Sequence, residues 1–253
     1  MRILISNDDG VHASGINFLY EELKAKHEPI ILAPNKERSS CGHGITLGEP
    51  IRVKKLKENI YECSGYPADC ILVGLGQICK ESPPELVISG INHGANLGQD
   101  RFYSGTIAAA REASFRGYPS IAVSLVTRNL KDVEHFDVAA SFIRKLIDLN
   151  IQECIPAMCL LNINIPNLPS EEISGVKLTF AGFQNYSEEV VKRSDTRGKD
   201  YYWVGGTYRG PADIKGSDAN AVEDKLISLD LQDLRGFEPK DLSKLKELIE
   251  KIE

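Results

Sequence analysis

The chain has 253 residues, which is enough for one large domain with its own hydrophobic core. Its formal net charge of −6 gives no broad basic surface, which argues against nucleic acid as a partner. No apolar run reaches the length of a membrane helix, no leader pattern precedes the first strand, and the six cysteines include no CxxC pair. We therefore expect a cytoplasmic protein with reduced thiols and no membrane partner.

The N-terminus predicts a buried parallel strand that ends at two carboxylates. The apolar run within Arg2–Ser6 is typical of a strand covered on both faces, and Asp8, Asp9 and Gly10 follow it. Open α/β sheets place their ligands at the carboxyl ends of such strands. The acidic pair therefore indicates a site for a hard divalent cation, although Asp-Asp-Gly is also typical of a turn that caps a helix.

Strand and helix patterns alternate along the chain as far as residue 166. The predicted elements are helices at 14–26, 67–80, 104–117 and 137–149, and strands at 29–34, 45–56, 59–65, 86–92, 120–126 and 158–166. Ser104 is the candidate N-cap of the third helix, and Gly117 is its candidate terminator. The alternation predicts a doubly wound α/β sheet.

The pattern changes after about residue 170. Strand-like segments at 176–180, 201–206 and 225–231 are separated by polar loops without regular helices, which predicts an antiparallel appendage. The segment 241–253 carries an apolar helical stripe, formed by Leu242, Leu245, Leu248, Ile249 and Ile252. We therefore divide the chain into a core at 1–170 and a C-terminal appendage with a terminal helix at 171–253, which is not an independent domain.

Three loops are expected to meet at the carboxyl edge of the sheet, because each follows a parallel strand. They lie at 7–10, 35–44 and 89–106. In the second loop, Ser39 is either a plain loop serine or a hydroxyl ligand for a metal. In the third loop, Asn92 and Asn96 offer neutral oxygens and amide donors.

The third loop ends where a helix begins, at Ser104, Gly105 and Thr106. Free N–H groups at a helix start suit a phosphate, but a Gly/Asn-rich loop with an ordinary helix cap explains the same pattern. The sequence has no GK[ST] after the loop and no GxSxG or HExxH motif, so it lacks the signatures of Walker A proteins, serine hydrolases and zincins. Candidate ligands that are all oxygens favour Mg²⁺ or Mn²⁺ over zinc.

Several motifs in a fixed order give the chain a close resemblance to one family. They are ILISNDDG at 3–10, LAPNKERSS at 32–40, PADC at 67–70, SGINHGANLGQDRFYSGTIAAA at 89–110, IAVSL at 121–125 and LNINIP at 161–166. Weaker matches follow in DTRGKDYYWVGG at 195–206 and GSDANAVEDKLISLDL at 216–231. Over nearly its whole length the chain resembles the SurE family, the survival proteins that act as 5′-nucleotidases.

The resemblance implies a metal-dependent phosphatase that hydrolyses nucleoside monophosphates to nucleoside and phosphate, with 3′-nucleotidase and exopolyphosphatase activity as possible additions. It implies one Mg²⁺ or Mn²⁺ per subunit, held by Asp8, Asp9, Ser39 and Asn92, with Asp8 or Asp9 also acting on the attacking water. It implies phosphate contacts from Asn96, Ser104, Gly105 and Thr106. The family fold is Rossmann-like, and its C-terminal part, including the terminal helix, exchanges between subunits, so the resemblance also implies a homodimer or homotetramer.

The chain departs from the family pattern at a few positions. Tyr66 stands where the family usually has Thr, Gln99 replaces a commoner acid, and Ser217 replaces Thr. The segment 180–186 lacks the usual basic residues. None of these departures removes a candidate metal ligand, so they leave base preference, substrate range and subunit exchange open.

Three other functions share part of this pattern. A haloacid-dehalogenase phosphatase needs DxD after the first strand, whereas Asp8 and Asp9 are adjacent here. A phosphoreceiver module is about half as long and needs an acceptor Asp after its third strand, where this chain has Asn92. A nucleotide-binding module without turnover is the third alternative, and release of phosphate from AMP or GMP with and without EDTA separates it from an enzyme.

Overall fold

The computed structural model describes residues 1–127, 133–187 and 189–236. The terminal helix predicted at 241–253, with its apolar stripe and its role in subunit exchange, lies outside the described residues. None of the helices within the described ranges is both long and apolar enough to cross a membrane.

The described chain follows the predicted alternation of strands and helices. The strands are β1 (Arg2–Ser6), β2 (Glu28–Pro34), β3 (Val53–Lys57), β4 (Ile60–Cys63), β5 (Leu86–His93), β6 (Ser120–Val126), β7 (Cys159–Pro166), β8 (Gly175–Thr179), β9 (Gln184–Tyr186), β10 (Glu189–Ser194), β11 (Asp200–Gly205), β12 (Tyr208–Pro211) and β13 (Leu226–Asp233). The α-helices are α1 (Ser14–Leu23), α2 (Pro67–Val73), α3 (Gly105–Phe115), α4 (Phe136–Asp148) and α5 (Asp218–Glu223).

The main sheet of the described chain has nine strands in the order β3-β4-β2-β1-β5-β6-β7-β13-β8. Strands β4, β2, β1, β5, β6 and β7 run parallel to their neighbours in this group. The chain moves outward from β1 through β2 in one direction and from β5 through β6 and β7 in the other. The adjacent carboxyl ends of β1 and β5 are therefore the switch point at which such folds bind ligands.

Helices cover both faces of this sheet because alternate residues of each buried strand point to opposite sides. Ile3 and Ile5 of β1 pack in the larger core cluster with residues of α1 and α4. Leu4, between them, packs in a second cluster with residues of α2 and α3. The sheet is therefore the middle layer of three, as the predicted doubly wound fold requires.

The C-terminal part is more closely joined to the sheet than its sequence suggests. Antiparallel pairs are present, β10 with β11 and β9 with β12, as expected. However, β13 lies in the main sheet, antiparallel to β7, and β8 pairs with β13 in parallel. The expectation that this part has no regular helix is wrong, because Ser217 caps the short helix α5. Its six residues are too few to show a helical period in the sequence.

Candidate active site

A cleft of about 390 Å³ opens at the switch point between β1 and β5. It is lined by residues from all three predicted loops, among them Asp8, Ser39, Ser40, Asn92, His93, Gly94, Ala95, Asn96, Asp100, Tyr103 and Ser104. A neighbouring cleft of about 280 Å³ is lined by Asp9, Glu37, Ser39, His93 and Glu134, among others. Because Ser39 and His93 line both clefts, the two clefts adjoin, with Asp8 in the larger and Asp9 in the smaller.

Asp8 is buried and is held by the start of α3. Its Oδ1 accepts a hydrogen bond from the hydroxyl of Thr106, and its carbonyl oxygen accepts one from the N–H of Arg38 at 2.7 Å. A Cβ at Gly105 would lie 2.9 Å from the Cβ of Asp8, so only glycine lets the helix approach this closely. Burial raises the pKa of Asp8, and the hydrogen bond from Thr106 opposes that rise.

Asp9 is partly buried and is tied to the end of β5. Its Oδ2 accepts a hydrogen bond from the N–H of His93 at 3.0 Å. Burial raises the pKa of Asp9 to about 6, the His93 N–H opposes the rise, and the neighbouring charge of Asp8 adds to it. Two close, partly desolvated carboxylates repel each other when both are ionised, which is the electrostatic condition that a bound cation relieves.

Asn92 and Ser39 complete the predicted ligand set with neutral oxygens. The Nδ2 of Asn92 donates to the carbonyl of Gly94 at 2.9 Å. Its Oδ1 accepts no hydrogen bond from the described residues. The hydroxyl of Ser39 donates to Glu37 Oε1 at 2.6 Å and keeps its lone pairs. No three His, Cys, Asp or Glu side chains of the described ranges form a metal cluster, so a cation here would depend on these neutral donors.

Asn96 is buried in a network of polar side chains from β6 and β7. Its N–H donates to Asn164 Oδ1 at 2.9 Å, and its Nδ2 donates to Ser124 Oγ at 2.8 Å. Its carbonyl accepts from the amides of Asn162 and Asn164. The network fixes the backbone and the amide group of Asn96 while its side chain lines the cleft.

The start of α3 places its three predicted residues differently. Ser104 lines the cleft and caps the helix, because its Oγ accepts from the N–H of Ile107 at 3.1 Å. Gly105 and Thr106 are buried behind Asp8 and do not line the cleft. Their N–H groups favour the ionised form of Asp8. The structure therefore brings Ser104 and Asn96 to the cleft, whereas Gly105 and Thr106 support the carboxylate.

Sequence reasoning did not single out several residues of the two clefts. His93 donates its N–H to Asp9, and its Nε2 lies 2.9 Å from Glu134 Oε1. Asp100 and Tyr103 line the larger cleft from the short turn after Gly98. The position of His93 directly after the candidate ligand Asn92 could have pointed to it. However, His93 contacts Asp9 through its backbone N–H, which almost any residue type supplies, so the sequence does not show this contact.

Comparisons with known proteins show the family of this chain. The family model described as "Survival protein SurE" matches residues 3–188. The chain belongs to the SurE family. A protein named 5′-nucleotidase SurE from Vibrio parahaemolyticus is 43% identical over 229 residues, which cover 90% of this chain and 87% of that protein. The protein of the same name from Geotalea uraniireducens is 42% identical, covering 90% of this chain and 91% of the relative.

A solved SurE structure shows that the likeness extends to the fold. The crystal structure of the SurE protein from Aquifex aeolicus superposes with a TM-score of 0.86 at 37% identity. The superposition covers 99% of this chain and 100% of the Aquifex aeolicus chain. The α/β architecture described above is therefore the SurE fold, including the C-terminal strands that join the main sheet.

Proposed function

We propose that this SurE protein is a metal-dependent 5′-nucleotidase that converts nucleoside monophosphates to nucleoside and inorganic phosphate. The observation that carries the proposal is the convergence of Asp8, Ser39, Asn92, Asn96 and Ser104 on one cleft. An acidic pair beside a helix start and neutral amides is suited to a cation that faces a phosphate. The relatives named 5′-nucleotidase SurE support the reaction class.

The donor set fits a hard divalent cation. Asp8, Asp9, Ser39 and Asn92 offer only oxygen, which suits Mg²⁺ or Mn²⁺ better than zinc. When bound, the cation supplies charge neutralisation for the phosphate and a lower pKa for a coordinated water. The raised pKa of both carboxylates in the metal-free protein fits this assignment, because burial leaves their charges poorly compensated.

The chain's own residues orient the phosphate and accept the proton of the attacking water. Asn96 and the hydroxyl of Ser104 face the cleft and are positioned to hold phosphate oxygens. Asp8 or Asp9 accepts the proton as the water oxygen bonds to phosphorus, and the bond to the ester oxygen breaks. That oxygen leaves with a proton from solvent. Thr106 and Gly105 act through Asp8, which they hold in place.

A phosphate-release assay tests this function directly. We expect release from AMP and GMP in Mg²⁺ or Mn²⁺, loss of release in EDTA, and little turnover by a folded Asp8→Asn variant. The 3′-monophosphates and tripolyphosphate in the same panel test the additional activities. Near-normal turnover by Asp8→Asn in saturating Mn²⁺ would contradict the role of that carboxylate.

A covalent mechanism is the alternative chemistry to exclude. A haloacid-dehalogenase enzyme forms an aspartyl phosphate, which acid quenching traps on the protein. We expect no acid-stable or hydroxylamine-sensitive phosphoprotein from labelled AMP, because attack by water leaves the phosphate free.

We also infer that the protein acts as a homodimer or homotetramer. The β10–β11 hairpin exposes several large apolar side chains, namely Val190, Val191, Tyr201, Tyr202, Trp203 and Val204. Exposed apolar groups at this density are typical of an interface. Light scattering after size-exclusion chromatography gives the oligomer order, and a monomer at micromolar concentration would contradict the inference.

A further inference from the structure

A third cavity, a pocket of about 230 Å³, adjoins the larger cleft of the candidate active site. It shares Ala95 and Asp100 with the larger cleft and extends to Gln184, Tyr186 and Tyr208 of strands β9 and β12. We propose that this pocket binds the nucleoside part of the substrate, with Asp100 accepting a hydrogen bond from a ribose hydroxyl and Gln184 donating one to the base. The inference rests on the proposed nucleotidase function and names the subsite that would select the substrate.

Asp100 lies beside the position that the sugar of a bound nucleoside monophosphate would occupy. It lines both cavities, so a molecule with its phosphate in the larger cleft and its base in the smaller pocket passes this residue. Its Oδ2 accepts a hydrogen bond from the hydroxyl of Tyr186. Its Oδ1 has no hydrogen-bond partner within the described ranges. A carboxylate that is fixed by one oxygen and free at the other is a common acceptor for ribose hydroxyls.

Gln184 supplies an amide with an unused donor. The residue is only 3% exposed, and its Oε1 accepts from the hydroxyl of Tyr208 at 3.2 Å. The same hydroxyl also lies 3.3 Å from Glu223 Oε1, and Gln184 Nε2 has no acceptor among the residues that the structure describes. Because Gln184 lines the pocket, this unused amide donor is available to a ligand. The ring nitrogens and carbonyl oxygens of a nucleobase are acceptors of the required type.

Two tyrosines give the pocket its aromatic surface. The rings of Tyr186 and Tyr208 lie 5.7 Å apart at an angle of 58°. Tyrosine faces stack against planar heterocycles, and that contact is tolerant of base identity. None of the residues that line this pocket, all within the described chain, is Lys or Arg. The pocket therefore suits a neutral heterocycle and does not suit a further phosphate group.

The walls of the pocket are fixed by hydrogen bonds between distant segments. The amide of Gln99 pairs with the backbone of Gln184 in both directions, at 2.6 and 2.8 Å. Asp218 accepts from the N–H groups of Gly98 and Gly182, at 2.8 and 2.7 Å. Such a fixed pocket loses little conformational entropy on binding.

The test compares substrates and variants in one matrix. The wild type, Asp100→Asn and Gln184→Leu are each assayed with AMP, 2′-deoxy-AMP, 3′-deoxy-AMP, GMP and p-nitrophenyl phosphate. Asp213→Asn serves as a matched control, because Asp213 is an exposed carboxylate outside the lining of the pocket. Thermal unfolding of each variant confirms that it is folded.

We expect the wild type to prefer AMP over at least one deoxy analogue by about tenfold, because a hydrogen bond to a charged group discriminates by that order. Asp100→Asn should reduce this preference to within about twofold, and Gln184→Leu should change the ratio of AMP to GMP by about fivefold or more. The ratio of kcat/KM for AMP to that for p-nitrophenyl phosphate should fall in both variants and not in Asp213→Asn. An equal loss on every substrate, with the ratios unchanged, would overturn the proposal.

Failure of the proposed function gives a different result. If the wild type releases phosphate from no substrate in Mg²⁺ or Mn²⁺, the nucleotidase assignment is wrong. Titration calorimetry with adenosine then tests the pocket on its own. We expect binding that Asp100→Asn weakens about tenfold, and no measurable binding of adenosine to the wild type would overturn the subsite.

Discussion

Thr106 lies behind Asp8 and donates its hydroxyl hydrogen bond to Asp8 Oδ1. Thr106 is fully buried on the first turn of α3, whereas Asp8 follows β1, 98 residues earlier in the chain. The contact therefore couples the orientation of a candidate metal ligand to the position of a helix. Removing a group that orients a metal ligand in this way commonly lowers metal affinity or activity by about 10- to 100-fold. We expect a loss of that order when the Thr106 hydroxyl is removed.

Replacing Thr106 with Val tests this coupling, because Val keeps the shape and removes the hydroxyl. We expect kcat to fall about tenfold or more and the apparent affinity for Mn²⁺ to weaken, with a smaller change in KM. Thr106→Ser keeps the donor and should retain most of the activity. The two variants are compared by phosphate release across a Mn²⁺ series, and equal activity of Val and Ser variants would show that the hydroxyl does not position Asp8.

Gly105 is the second point at which α3 contacts the acidic pair. A Cβ at this position would lie 2.8 Å from Cys41 Sγ and 2.9 Å from the Cβ of Asp8. Gly105→Ala should therefore push the helix start away from Asp8, lower activity more than tenfold and destabilise the fold by about 1–3 kcal/mol. Gly76→Ala is the matched control, because nothing lies within 4 Å of its added Cβ. Activity and thermal midpoints of Gly105→Ala that match those of Gly76→Ala would contradict this close packing.

Sequence patterns predicted the sheet and the meeting of its loops for a clear physical reason. Strands such as β1 and β5 are buried on both faces, so their residue types alone mark them and the fold rules then place their ends together. The pocket that we propose for the nucleoside has no such mark in the sequence. It depends on Gln99 and Gln184, which are 85 residues apart, and on strands of three and four residues. Contacts of that range and elements of that length leave no periodic signal in a sequence.

The raised pKa of Asp9 predicts that its charge destabilises the metal-free protein. Since its folded pKa is about 6 and its ordinary value is 3.8, the folded state binds the proton more tightly than the unfolded chain does. The penalty is absent below pH 3.8, grows up to about pH 6 and is complete above it. Asp9→Asn, which keeps an acceptor for the His93 N–H, should therefore raise the free energy of unfolding in EDTA by about 1–2 kcal/mol at pH 7.5.

Denaturant unfolding at two pH values checks this stability effect. At about pH 4 the stabilisation by Asp9→Asn should disappear, because the wild-type carboxyl is then protonated in the folded state. Adding Mn²⁺ at pH 7.5 should stabilise the wild type and leave Asp9→Asn nearly unchanged, since the variant has lost a ligand. A variant that is less stable than the wild type in EDTA at pH 7.5 would contradict the burial argument.

Ser104 caps a helix and also lines the cleft, and a comparison with the capping residue Ser217 separates these two roles. Ser104 caps α3 through the N–H of Ile107, and Ser217 caps α5 through the N–H of Asn220, at 3.1 and 3.3 Å. Of these two capping serines, Ser104 lines the cleft and Ser217 does not. Ser104→Ala and Ser217→Ala should each cost about 1 kcal/mol of stability, as lost N-caps do. Inhibition by free phosphate should weaken several-fold in Ser104→Ala alone, because we propose that its hydroxyl contacts the phosphate. Equal inhibition constants in the two variants would remove Ser104 from the phosphate site and leave it only the role of helix cap.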